Sequence, residues 1–137
     1  MNDQALDRLL IRERMDAYIM SIDTHNNAAF AANFTDDGVY ESPFGTAQGR
    51  AAIEVVIGQW HAGGITAGKR HMSGPLVIHS IDGDTARTSA SYYIIDAANT
   101  PGIVASGEYT DVLRKVNGQW LLAERKQLID PSFKFNS

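Results

Sequence analysis

Cysteine is absent from this 137-residue sequence. That removes disulfide frameworks, thiolate nucleophiles and Cys-based zinc sites from consideration. Basic runs are also missing: Arg12 and Arg14, then Lys69 and Arg70, stand as isolated pairs. With a net charge of −4, a phosphate backbone finds no clustered Lys and Arg to bind, and no nucleic-acid partner is expected. No apolar stretch approaches the roughly 18 residues of a membrane span, so no membrane partner is expected either. The opening MNDQALDRLL is too charged for a signal peptide. Repeats, linkers and low-complexity tracts are lacking as well. The expectation is one cytoplasmic domain over residues 1–137.

What is present is ordinary globular material, 44% hydrophobic and 20% charged, in a definite order. From Asp3 to about Thr24 the apolar residues Leu6, Leu9, Leu10, Met15, Ala17, Ile19 and Ile22 recur at helical spacing. Asn26-Asn27 suits a helix stop. Ala28 to Phe34 reads as one or two further helical turns, ending at an Asp36-Asp37-Gly38 turn. Val39-Tyr40-Glu41 is a short strand, broken by Pro43-Phe44-Gly45. Arg50 to Trp60 is a third helix with Ile53, Val56, Ile57 and Trp60 on one side, stopped by Gly63-Gly64.

The pattern then becomes β. His71–Ile81, Thr85–Ala97, Ile103–Arg114 and Gln119–Ile129 read as four long strands. Asp82-Gly83 and Asn117-Gly118 mark tight hairpin turns, and Asn99-Thr100-Pro101-Gly102 a looser connection. Helices followed by antiparallel strands give an α+β class with the helices on one sheet face. A long, strongly twisted sheet curls, and a helix across its mouth encloses a pocket. A pocket alone does not argue for catalysis.

His71, near a strand start, is the obvious general base, although a lone histidine is often a paired core residue. Asp23 lies in the last turn of the first helix, where the negative end of the macrodipole disfavours a carboxylate. Position 19 is Ile19, so no basic residue one turn earlier compensates. A carboxylate set against local preference points to a tertiary partner. If Asp23 meets His71, it fixes the imidazole tautomer and stabilises the imidazolium. Tyr18, Tyr40, Tyr92 and Tyr109 can polarise a carbonyl or assist a leaving oxygen, or simply fill the core.

Strand alternation places Ser73, Pro75 and Val77 on the face of His71. On the last strand, Leu121, Ala123, Arg125, Gln127 and Ile129 are favoured as pocket-facing. No metal is expected, because His25, His61, His71 and His79 lack HxH or HxxxH spacing. His61 suits the C-terminal end of the third helix. The segment GTAQGR at 45–50 lacks the spacing of a phosphate loop.

Taken together, FTDDGVY (34–40) after a helix ending in Asp23, GTAQGR (45–50), RHMSG (70–74), GEYTDVLRKVNGQW (107–120) and Arg125 resemble the SnoaL-like branch of the NTF2-like superfamily. The resemblance spans nearly the whole chain. It implies a cone-shaped α+β barrel, three N-terminal helices packed on a strongly curved, mostly antiparallel sheet. It is similar in pattern to scytalone dehydratase, bile-acid 7-alpha-dehydratase and lindane dehydrochlorinase, and so implies an Asp–His dyad at Asp23 and His71. By the same resemblance Tyr18 and Tyr40 are expected beside the reacting group, and Tyr92, Tyr109, Gln127 and Trp60 around a hydrophobic substrate. The implied activity is a cofactor-independent lyase or isomerase, dehydratase-like, acting on a ring-containing or polyketide-like molecule. A homo-oligomer, dimer or trimer, is implied too. A binding module without catalysis and an assembly subunit are the alternatives.

Overall fold

The computed structural model describes residues 4–99 and 101–133. Asp3, the expected first helical residue, and Thr100, in the expected loose connection, lie outside them. The helices are α1 (Gln4–Asp23), α2 (Asn27–Ala32) and α3 (Arg50–Ala62). The strands are β1 (Phe34–Ser42), β2 (Gly45–Gln48), β3 (Lys69–Asp82), β4 (Thr85–Asp96), β5 (Ile103–Val116) and β6 (Gln119–Ile129). They form one six-stranded sheet in the order β2-β1-β6-β5-β4-β3. Only β1 and β6 run parallel. The sheet is not closed. Helix α1 packs against both β3 and β6, which the order separates by two strands, so the sheet wraps around the helix as a cone. Among the described residues no helix is long and apolar enough to cross a membrane.

Helix α1 buries Ile11, Met15, Tyr18 and Ile22, a stripe at the spacing of one helical face. Leu6 and Leu9, which belong to the helical apolar pattern, are 60% and 52% exposed; the buried stripe begins one turn later, at Ile11. The Arg14 guanidinium donates to the Trp120 carbonyl at 2.8 Å, and the Trp120 indole donates to Asp7 at 2.9 Å. These contacts pin α1 to β6 and so fix where its last residue, Asp23, ends up.

Several expectations are corrected. The left-handed residue after α1 is His25, at φ 56°, rather than an asparagine. Asn26 instead caps α2, its side chain accepting from the Ala29 amide. Phe34 and Asp36–Gly38 belong to β1, not to a helix and a turn: the parallel register slips between Phe34 and Val39, and a bulge absorbs the turn-like residues. Strand β2 was not anticipated. The turn after β3 is centred on Gly83-Asp84, with φ 59° at Gly83, one residue beyond the expected dipeptide. At Asn117-Gly118 both residues have positive φ, 51° and 77°, as a type I′ turn demands.

Bulges also overturn simple strand alternation. In β3 the register shifts between Ser73 and Leu76. After that, Leu76 and Ile78 pack on the core while Val77, expected inside, is 51% exposed; Pro75 falls in the shift itself. In β6 the shift between Val112 and Leu113 of β5 leaves Ala123 unpaired. Leu122 and Trp120 therefore share the inner face with Arg125 and Gln127, and Leu121 turns to the other side with Thr35 and Arg114.

Candidate functional site

At the open end of the cone lies a cavity of about 140 Å³. A volume of that order holds one benzene-sized ring in an apolar protein interior. Most of its wall is apolar: Ile22 from α1, Trp60 from α3, Phe44 from the β1–β2 turn, Ile94, Ala105 and Ile129 from the sheet. Its polar lining comes from Thr66, Lys69, His71, Tyr92 and Gln127.

Asp23 and His71 meet at its edge. The His71 Nδ1 is 2.8 Å from Asp23 Oδ1, and the His71 backbone amide donates to both carboxylate oxygens at 3.1 Å. An ionised carboxylate only accepts, so Nδ1 carries the proton. In the neutral ring that tautomer leaves Nε2 as the acceptor, on the side away from Asp23. His71 is 7% exposed, so the imidazole is fixed between α1 and β3. The carboxylate disfavoured by its own helix is thus held by the amide and ring of another element.

Below the cavity a directed run of hydrogen bonds crosses the cone. Tyr18 donates to the Tyr40 hydroxyl at 3.1 Å, and Tyr40 donates to Gln127 Oε1. Gln127 Nε2 donates to the Tyr92 hydroxyl at 3.3 Å, which in turn donates to the Leu128 carbonyl at 2.7 Å. Tyr92 reaches that carbonyl because residue 107 opposite it is glycine: a Cβ there would stand 1.9 Å from the Leu128 oxygen and 2.9 Å from the Tyr92 hydroxyl. Every tyrosine proton in the run is taken. Burial pushes the hydroxyls of Tyr18, Tyr40 and Tyr92 above their ordinary pKa, so all three are neutral donors near pH 7.

Of the eight residues singled out from sequence, His71, Trp60, Tyr92 and Gln127 line the cavity, and Asp23 touches His71 behind it. Tyr18, Tyr40 and Tyr109 do not line it. They are 1%, 2% and 1% exposed and form the packed layer beneath. The Arg125 guanidinium lies between the rings of Tyr18 and Tyr109, 4.2 and 3.9 Å from their centroids, and pairs with Asp111 through two 2.8 Å contacts. Burial alone would depress the Arg125 pKa; Asp111 outweighs it and holds the charge.

Sequence reasoning missed Lys69 and Thr66. Lys69 shares the strand face of His71, which the strand start at His71 rather than Lys69 concealed. Thr66 is buried and holds two stacked histidines. The His61 Nδ1 lies 2.5 Å from its hydroxyl, and the His25 Nε2 lies 3.3 Å from its carbonyl. The two rings stack at 4.1 Å. Burial, with His25 and His71 nearby, lowers the His61 pKa. Among the described residues no group of His, Asp and Glu is arranged to hold a metal ion.

The family model for the SnoaL-like domain matches residues 3–126. The chain belongs to the SnoaL-like domain family. No curated protein matches its sequence. Among solved structures, Rv3472 of Mycobacterium tuberculosis, a protein of unknown function, is 30% identical, with 93% of this chain and 74% of that chain covered and a TM-score of 0.85. A candidate scytalone dehydratase of Novosphingobium aromaticivorans is 23% identical over 93% of this chain and 86% of its own, with a TM-score of 0.78. The β subunit of a candidate aromatic-ring-hydroxylating dioxygenase from the same organism is 20% identical over 94% and 92%, with a TM-score of 0.79. At those last identities the likeness is one of fold. The SnoaL-like fold thus carries a dehydratase candidate and a dioxygenase subunit alike, and function must be argued from the site.

Proposed function

We propose that this SnoaL-like protein is a cofactor-independent lyase or isomerase, of dehydratase type, acting on a hydrophobic ring-containing small molecule. The observation that carries the reading is the 2.8 Å contact between Asp23 and His71 Nδ1 at the wall of an apolar cavity. His71 Nε2 takes a proton from carbon next to an activating carbonyl, and Asp23 orients the ring and stabilises the imidazolium that forms. The imidazolium returns that proton to the β-hydroxyl as the C–O bond breaks and water leaves. Gln127 faces the cavity with one amide proton not used by Tyr92, and that proton steadies the developing oxyanion. The roles first given to Tyr18 and Tyr40 pass to Gln127. The two tyrosines act through it, as the hydroxyls that hold its amide in place.

The test is a panel of monocyclic β-hydroxyketones followed by the absorbance of the enone formed on loss of water. Wild-type protein is expected to turn over at least one member. His71→Gln should cut the rate by about 10² or more with an unchanged circular dichroism spectrum and melting temperature. Equal rates for the two proteins would sink the role of His71. Retention of a ring ligand without product by wild-type protein would favour the non-catalytic binding module instead.

A further inference from the structure

Lys69 has no part in the proton transfer above, yet among the described residues it is the one cavity-lining side chain with a fixed positive charge. It precedes His71 by two residues in β3, so both side chains leave the same strand face, about 7 Å apart along it. Its position is set by backbone. Gly68 adopts φ +66°, and a Cβ there would come within 2.4 Å of the Ala98 Cβ. The Gly68 carbonyl accepts from the Ala97 amide at 2.8 Å.

The charges around Lys69 are met elsewhere. Asp96, its cross-strand partner, turns a carboxylate oxygen to the amides of Ala98 and Asn99, at 3.1 Å each. Asp23 is held by His71. The Lys69 ammonium donates to the Ala67 carbonyl at 3.2 Å, and none of the ion pairs among the described residues includes it. Half-buried, it lays its apolar stem along the cavity wall and keeps its charge at the mouth. A cation without a counter-ion, beside a base whose own charge Asp23 already answers, is suited to an anionic group on the ligand.

We infer that the site takes a small ring acid: a monocyclic compound whose carboxylate is held by Lys69 while a neighbouring carbon faces His71. This rests on the reading of the cavity as a substrate site. The cavity volume admits one ring, and the two side chains leave β3 only about 7 Å apart, so one small molecule can touch both. The anion therefore belongs on the ring itself rather than on a long carrier.

Isothermal titration calorimetry with benzoate and with benzamide, its uncharged isostere, tests the assignment on wild-type protein, Lys69→Met and His71→Gln. Wild type is expected to bind benzoate about tenfold more tightly than benzamide. Lys69→Met should erase that preference through a loss of benzoate affinity, and His71→Gln should keep it. Equal affinities in wild type, a preference surviving in Lys69→Met, its loss in His71→Gln, or no heat with either probe would overturn the inference. The experiment reads binding alone, so an inactive protein that still prefers benzoate would remove the catalytic reading and leave the ring acid standing.

Discussion

Two acid–base pairs of equal length lie one above the other in this cone. Asp111 and Arg125 meet at 2.8 Å beneath the cavity, and Asp23 and His71 meet at 2.8 Å at its edge. The lower pair is 0% and 1% exposed, closed above and below by the rings of Tyr18 and Tyr109. Its two parallel hydrogen bonds use one edge of the guanidinium fork, Nη2 also reaches the Met15 sulfur, and Arg125 does not line the cavity. The upper pair uses one ring nitrogen and leaves the other facing the cavity. A pair sealed in the core organises it, whereas a pair with one ring nitrogen left over at a cavity wall can act on something else.

The largest loss is expected at the lower pair. Asp111→Asn leaves the Arg125 charge buried without its counter-ion and is expected to cost about 3–5 kcal/mol of unfolding free energy, read by urea denaturation. Replacing both partners, Arg125→Met with Asp111→Leu, should return most of that loss, because two apolar groups leave no orphaned charge. A single Asp111→Asn change within 1 kcal/mol of wild type would mean that the pair is not what holds the floor.

At the upper pair the sign of the effect reverses, with function lost and fold retained. Asp23→Asn offers His71 an amide in place of a carboxylate, so the ring tautomer is no longer fixed and the imidazolium loses its counter-charge. Turnover of whichever β-hydroxyketone wild type accepts is expected to fall about 10²-fold or more, with unfolding free energy down by about 1 kcal/mol. A variant as active as wild type would detach Asp23 from the chemistry. Smaller still is Tyr40→Phe, which leaves Gln127 Oε1 without its donor and frees the Tyr18 hydroxyl. The expected cost is about 1–2 kcal/mol in stability. With it should come a several-fold loss of rate carried by kcat rather than KM, since Gln127 is then less well held.

Much of this was legible in the sequence because it is local. The unfavourable carboxylate at Asp23, the hairpin dipeptide Asn117-Gly118 and the apolar side of α3 each follow from a few neighbouring residues. The dyad could be expected on those grounds and by family resemblance together. What was not legible depends on register. Gly74-Pro75 marks an irregularity without saying which residue is extra, and Ala123 gives no local sign at all, yet those bulges decide that Leu76 and Leu122 face inward while Val77 and Leu121 do not. For the same reason Tyr18, Tyr40 and Tyr109 could not be told from cavity residues. All are aromatics on inner faces, and only depth along the cone, set by tertiary packing, separates them from Tyr92.

The histidine stack at the mouth should respond to pH where the floor does not. The His61 pKa in the folded protein is lowered from its ordinary value by burial and by His25 and His71. Its contribution to stability is therefore present above about pH 6.5, the ordinary imidazole value, and is lost as pH falls below it, since the unfolded chain then binds the proton more readily. The melting temperature should drop from pH 7 to pH 5 by more in wild type than in His61→Gln. Identical slopes in the two proteins would show that the stack does not resist protonation.

The smallest expected effect is at Tyr109, and it separates packing from pairing within the floor itself. Its ring is fully used, stacked on Tyr92 at 4.5 Å and covering the Arg125 guanidinium, but its hydroxyl is buried without a hydrogen-bond partner among the described residues. Burial holds that hydroxyl well above its ordinary pKa, so it is a neutral group left unpaired. Removing an unsatisfied polar atom while keeping the ring relieves a desolvation penalty instead of adding one. Tyr109→Phe is thus expected to lie within about 0.5 kcal/mol of wild type in urea denaturation, or slightly above it. Tyr18→Phe, whose hydroxyl is paired with Tyr40 at 3.1 Å, should cost about 1 kcal/mol. If Tyr109→Phe costs as much as Tyr18→Phe, the Tyr109 hydroxyl has a partner in solution. A buried water at that depth would then extend the hydrogen-bonded floor by one more member.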